Sequence, residues 1–103
     1  MTNDLVRMTA REIRSRLHDR DVSPQELLDA LAARIAIVDP SVNALPTLCF
    51  ERAAERAREQ DYSGTRLKGL PIAIKDLIAV AGVRTTWGSP IFADHVPTRS
   101  DIM

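Results

Sequence analysis

The nine residues from Gly69 to Leu77, GLPIAIKDL, limit the folds open to this chain more than any other stretch. Their composition predicts a strand over Pro71–Lys75, with Ile72 and Ile74 on one face and Ala73 and Lys75 on the other, because side chains alternate along a strand. Both faces are then mainly apolar. Such a strand belongs inside a sheet covered on both sides, where an ammonium at the carboxyl end is costly unless it has a task. The expected fold class is therefore α/β.

Helical signals fill the chain ahead of that run. Thr9 with Glu12 forms a capping-box pattern before Ile13 and Leu17 and predicts a first helix from about Ala10 to about Arg20. Ser23-Pro24-Gln25-Glu26 repeats the signal, with serine as cap, proline at the first helical position and glutamate at the third. Leu27, Leu31, Ile35 and Val38 then fall on one face, opposite Glu26, Asp29 and Arg34. Asp39-Pro40 is expected to end this helix, since the residue before a proline is pushed out of the helical region. Asn43–Phe50, NALPTLCF, has a β-like composition, with Pro46 restricting it to an edge or an irregular start. ERAAERAREQ, 51–60, reads as a helix whose Ala53, Ala54 and Ala57 lie against something flat such as a sheet, its interleaved charges forming a solvated face. Turn chemistry follows at Gly64, Gly69, Gly82 and Gly88-Ser89-Pro90.

Composition narrows the function classes. With 103 residues, 45% hydrophobic and 27% charged, the balance is that of a globular domain rather than a disordered chain. Fourteen basic residues cancel fourteen acidic ones and only 4% are aromatic, which argues against a nucleic-acid surface. The first twenty residues contain no apolar signal core, and the longest uninterrupted apolar stretch, Leu77 to Ala81, is far below the roughly 20 residues of a bilayer span. A cytoplasmic protein with no membrane partner is expected. Cys49 has no cysteine or histidine at metal-ligand spacing and is expected to be a small buried hydrophobe. His18 and His95 are expected on solvated surfaces, and neither a metal nor a cofactor is expected.

Residues 98–103, TRSDIM, look like a helix start with Ser100 as cap and Asp101 in the first turn, but three candidate helical residues cannot meet the cost of nucleation. Two strands also make a poor sheet. Residues 1–103 are thus expected to form the front part of a larger domain, with a helical region at about 9–38 and a strand-helix-strand segment at about 43–103.

The carboxyl end of a central strand borders the ligand crevice in open α/β sheets, and partial desolvation there favours a neutral amine. That suits Lys75 to act as a general base. Asp76, pointing to the opposite face, is not its natural ion-pair partner. If the strand ends one residue early, both charges are simply solvated. The residues by themselves leave both readings open.

LKGLPIAIKDLIAVAGVRTTWGSPIF, 67–92, strongly resembles the N-terminal signature of the amidase signature family. TAREIRSRL and SPQELLDALAARIAIVDPSVNAL resemble that family's opening helices, so the likeness covers essentially the whole chain. The resemblance implies an α/β/α sandwich with a mixed central sheet, incomplete in this chain. It implies hydrolysis of a carboxylic amide by a serine, a second serine held in a cis peptide, and a lysine, with Lys75 matching the lysine. By the same resemblance Thr85, Thr86 and Trp87, with Gly88 and Ser89, match positions that line the substrate site, while a turn and a core-capping indole are equally good readings of these residues. The segment that carries both catalytic serines lies beyond the stretch resembled. The serines at 15, 23, 41, 63, 89 and 100 read as helix, cap or turn positions. The chain alone is therefore expected to be inactive.

Within the same family, the runner-up is the amidase component of a tRNA-dependent amidotransferase, which resembles this stretch but commonly has asparagine where this chain has Leu77. The implied partners are a small-molecule amide in the complete enzyme, and either a second copy or amidotransferase partner subunits. From another class, the chain reads as a small non-catalytic module whose helices dock onto another protein.

Overall fold

The computed structural model describes residues 2–102, which group into two units, residues 2–44 with 50–71 and residues 45–49 with 72–102. The first is helical. Its elements are α1 (Thr2–Leu5), α2 (Ala10–His18), α3 (Pro24–Val42) and α4 (Phe50–Glu59).

Both predicted capping boxes form. Thr9 Oγ1 accepts the Glu12 amide at 3.2 Å while the Glu12 carboxylate accepts the Thr9 amide at 2.7 Å. Ser23 and Glu26 make the same reciprocal pair at 3.1 and 3.3 Å. Each cap satisfies donors that a helix start otherwise leaves orphaned, at about 1 kcal/mol apiece. Leu17 of α2, Val22 of the connection and Leu27 of α3 form the core of this unit, with Leu5, Ile13 and Leu70 packed against it. Burying an aliphatic side chain stabilises by about 1.5–3 kcal/mol, so this cluster outweighs the caps. Leu28 and Ala30 are also buried, whereas Leu31, Ile35 and Val38 are half-buried, so the inward face of α3 is broader and closer to its start than the predicted stripe.

Two helix expectations are corrected. α3 does not stop at Asp39-Pro40 but carries Pro40 inside its last turn and ends at Asn43, whose φ of 53° is left-handed. Asp39 explains the ending: its carbonyl accepts the Asn43 amide at 2.6 Å and its carboxylate accepts the Ala44 amide at 2.8 Å. The bond lost to proline falls in the final turn, where little helix remains to be broken. α4 lies on α3 rather than on a sheet, with Ala53, Ala54 and Ala57 half-buried.

The α/β expectation with a mixed central sheet does not hold: no residue described lies in a strand. Residues 71–75 are without turn or helix, but Ile72, Ala73 and Ile74 make no backbone hydrogen bond among the described residues. A strand exists only through a neighbour that shares its ladder, and no described segment takes that place. Ile72 is 62% exposed accordingly. Residues 43–50 likewise form no strand, and Cys49, expected to be buried, is exposed for want of a covering layer.

The second unit is held by polar bonds more than by apolar burial. Its buried residues are Ala79, Thr85, Thr86 and Pro97, while Leu77, Ile91, Phe92 and Val96 are exposed. Asp101 exchanges bonds with Ala79, its amide donating to the Ala79 carbonyl at 2.9 Å and its carboxylate accepting the Ala79 amide at 2.8 Å. Ser100 Oγ accepts the Ala81 amide at 2.9 Å. Ser100 and Asp101 therefore brace residues 79–81 instead of starting a helix, and Met103, the last residue of that predicted start, lies outside the described residues. No helix among the described residues is long and apolar enough to cross a membrane.

Candidate active site

Lys75 opens a reverse turn. Its carbonyl accepts the Ile78 amide at 3.0 Å, and neither Asp76 nor Leu77 has positive φ, so the turn is of type I. Its side chain is exposed, and among the described residues no hydrogen bond or ion pair engages the ammonium. The expectation of a shielded amine is thus not met in this chain, because no layer covers residues 72–75.

Asp76 carries the local order. Its Oδ1 accepts the Thr86 amide at 2.8 Å, its Oδ2 accepts the Thr86 hydroxyl, and its carbonyl accepts the Trp87 amide at 3.1 Å. Thr86 Oγ1 in turn accepts the Gly88 amide at 3.2 Å. The Thr86 hydroxyl, then its amide, hold the Asp76 carboxyl below the usual aspartate range, and nearby Arg84 acts in the same sense against the opposing effect of partial burial. Sequence reading placed Asp76 away from Lys75 but assigned it no role. The pairing of an aspartate with a Thr-Thr segment ten residues later is a usable signal only once the chain is known to fold back.

The resembled residues Thr86, Gly88 and Ser89 occupy one turn after this clamp. Thr86 is 7% exposed with its polar atoms engaged, and Thr85 beside it donates its amide to the His95 carbonyl at 2.9 Å. Trp87 and Gly88 adopt φ of 51° and 70°, which only glycine takes without strain. Ser89 Oγ accepts the Ile91 amide at 3.3 Å at the head of the short 3-10 helix Pro90–Phe92. That is the turn role its neighbours predicted.

Trp87, Phe92 and His95 form an aromatic group, with ring centroids 4.9 Å from Trp87 to each partner and 5.9 Å between the other two. His95 is therefore stacked and half-buried rather than solvated, whereas His18 is exposed as expected. Arg84 donates from Nε to the Ala93 carbonyl and from Nη1 to Thr47 Oγ1 at 3.0 Å, tying residues 46–47 to this unit. A phenyl ring, an imidazole and an indole beside a turn supply shape and apolar contact, not nucleophilic chemistry.

Comparison with known proteins matches residues 26–103 to the family described as Amidase. The chain is 36% identical over 99 residues to the glutamyl-tRNA(Gln) amidotransferase A subunit of Caldanaerobacter subterraneus subsp. tengcongensis, covering 91% of this chain and 20% of that protein. It is 34% identical over 99 residues to the protein of that name from Syntrophomonas wolfei, covering 92% of this chain and 20% of the relative. The Geobacter sulfurreducens protein of the same name is 38% identical over 99 residues, with 91% and 20% covered. The chain spans about a fifth of the length of these curated relatives. No solved structure matches it. The matched segment contains the Lys75-Asp76 pair and the turn clamped to it, and the chain belongs to the amidase signature family.

Proposed function

We propose that this chain is the lysine-bearing opening portion of an amidase that hydrolyses a carboxylic amide to an acid and ammonia or an amine. Lys75 is its general base. The observation that carries the reading is an ammonium free of any partner among the described residues, on backbone fixed by its own turn and by the next residue. In the complete enzyme the neutral amine takes a proton, through a bridging serine held in a cis peptide, from the nucleophilic serine. That serine attacks the amide carbonyl, the amine leaves with the returned proton, and water releases the acid from the acyl-enzyme. The shielding that keeps the amine uncharged comes from the serine-bearing part of the domain, as do the donors that hold the oxyanion. Gly88 and Ser89 border the substrate. Ser89 is not the nucleophile.

The purified 103-residue chain should release no ammonia from simple amides above background. In a chain extended through the serine-bearing segment, Lys75→Ala should lower turnover by at least about 10²-fold. An unchanged rate would refute the role given to Lys75.

A second reading is favoured by the relatives, each named as the A subunit of a glutamyl-tRNA(Gln) amidotransferase. In that case the ammonia comes from glutamine and is handed to partner subunits. Leu77, where the family resemblance implies asparagine in amidotransferase subunits, favours a stand-alone amidase instead. Copurification of the extended chain with other subunits decides for the amidotransferase, and a self-sufficient enzyme, monomeric or homodimeric, decides against it.

A further inference from the structure

We propose that Asp76 is a positioning residue, which fixes the backbone from which Lys75 projects by gripping Thr86 on the far side of the loop. This rests on the reading of Lys75 as the base.

Three observations lead there. First, residues 72–74 make no backbone hydrogen bond among the described residues, so the three residues before Lys75 give it no backbone anchor. Second, the next residue is held three times over: two bonds from Thr86 to its carboxylate and one from the Trp87 amide to its carbonyl. Third, the grip is anchored in the least exposed part of this unit, Thr85 and Thr86 being 2% and 7% exposed. A buried threonine whose hydroxyl donates to one group and accepts from Gly88 cannot swing without breaking both bonds. Asp76 thus couples the position of Lys75 to the Trp87–Ser89 turn, so that the base and the turn bordering the substrate move as one piece. By this assignment Thr86 acts through Asp76 and does not itself contact substrate.

The carboxylate is an acceptor only, and Thr86 offers two donors at matched spacing. The lowered affinity of Asp76 for protons is the thermodynamic counterpart of that match. Asparagine at 76 keeps one acceptor for the Thr86 amide and turns a donor toward its hydroxyl, so it preserves part of the grip. Alanine removes it.

The test is a kinetic cycle in the amidase extended through the serine-bearing segment, with rates normalised to folded protein. Asp76→Ala and Thr86→Val should each lower kcat about 10- to 100-fold, the size of loss that a misplacement near 1 Å brings, with KM little changed. The double variant should lose no more than the worse single one. Thr86→Ser, which restores the hydroxyl, and Asp76→Asn should recover activity in part. Additive losses, or Thr86→Ser no better than Thr86→Val, would overturn the assignment. So would full activity of Asp76→Ala in an enzyme that Lys75→Ala inactivates. If Lys75→Ala is itself fully active, the reading of the base has failed, a result distinguishable from failure of the grip alone. In the 103-residue chain, Asp76→Asn should move the Thr86 and Trp87 amide resonances while leaving those of α2 and α3 in place; unmoved resonances would also count against the proposal.

Discussion

Among single residues, Asp76 shows most clearly a charge placed for a reason. Its carboxyl is held below the usual range by Thr86. A group with a lowered folded-state pKa contributes stability that is present above its unfolded value, ordinarily about 3.9, and is lost as pH falls through the folded one. Trp87 donates its amide to the Asp76 carbonyl and is the single tryptophan, so its emission should report this loss. We expect an acid transition below about pH 4 that Asp76→Asn removes or shifts; an unaltered transition in that variant would sink the assignment. Gly69 supplies a second case. Its φ is 89°, and a Cβ there would meet Pro24 Cγ at 2.7 Å. Gly69→Ala should cost about 1–3 kcal/mol, read as a lower melting temperature.

Of the secondary-structure elements, α2, α3 and α4 were legible in the sequence, whereas α1 was not foreseen and the expected strands do not form among the described residues. The boxes Thr9–Glu12 and Ser23–Glu26 are local chemistry, complete within four residues, so pattern alone locates those starts. Pro40 misled because its effect depends on how much helix follows it, and Asp39 closes the end two ways immediately afterward. Pro40→Ala should therefore raise the melting temperature by restoring a donor to the Ala36 carbonyl; a lower value would mean that proline restrains the unfolded chain more than it disturbs α3. The run at 71–75 misled for the opposite reason. Alternating burial is a property of a strand among neighbours, and a sequence cannot show that the described chain offers none. For the candidate site, the resemblance singles out Lys75, which stays a proposal, whereas the Asp76–Thr86 clamp was not foreseen, since its two partners are distant in sequence and ordinary in type.

Across the molecule, apolar exposure is concentrated in one unit. Ile72, Leu77, Ile91 and Val96 are 62, 57, 87 and 51% exposed, whereas the first unit encloses Leu17, Val22 and Leu27. Exposed apolar groups of this number promote association. The purified chain should sediment as larger species with rising concentration and bind a dye such as ANS. Ile72→Thr with Ile91→Thr should reduce both effects. A concentration-independent monomer that excludes the dye would show that these side chains find cover in solution.

The basic side chains offer a practical handle. Twelve of the fourteen are arginine, and of the two lysines Lys68 donates its ammonium to the Ser63 carbonyl while Lys75 stands open to solvent. Apart from the terminal amine, an acylating or reductively methylating reagent meets only these two amines, and Lys68→Arg would leave Lys75 as the single lysine target. Isotopic tagging of that one nitrogen would give a spectroscopic window on the proposed base before any substrate is known.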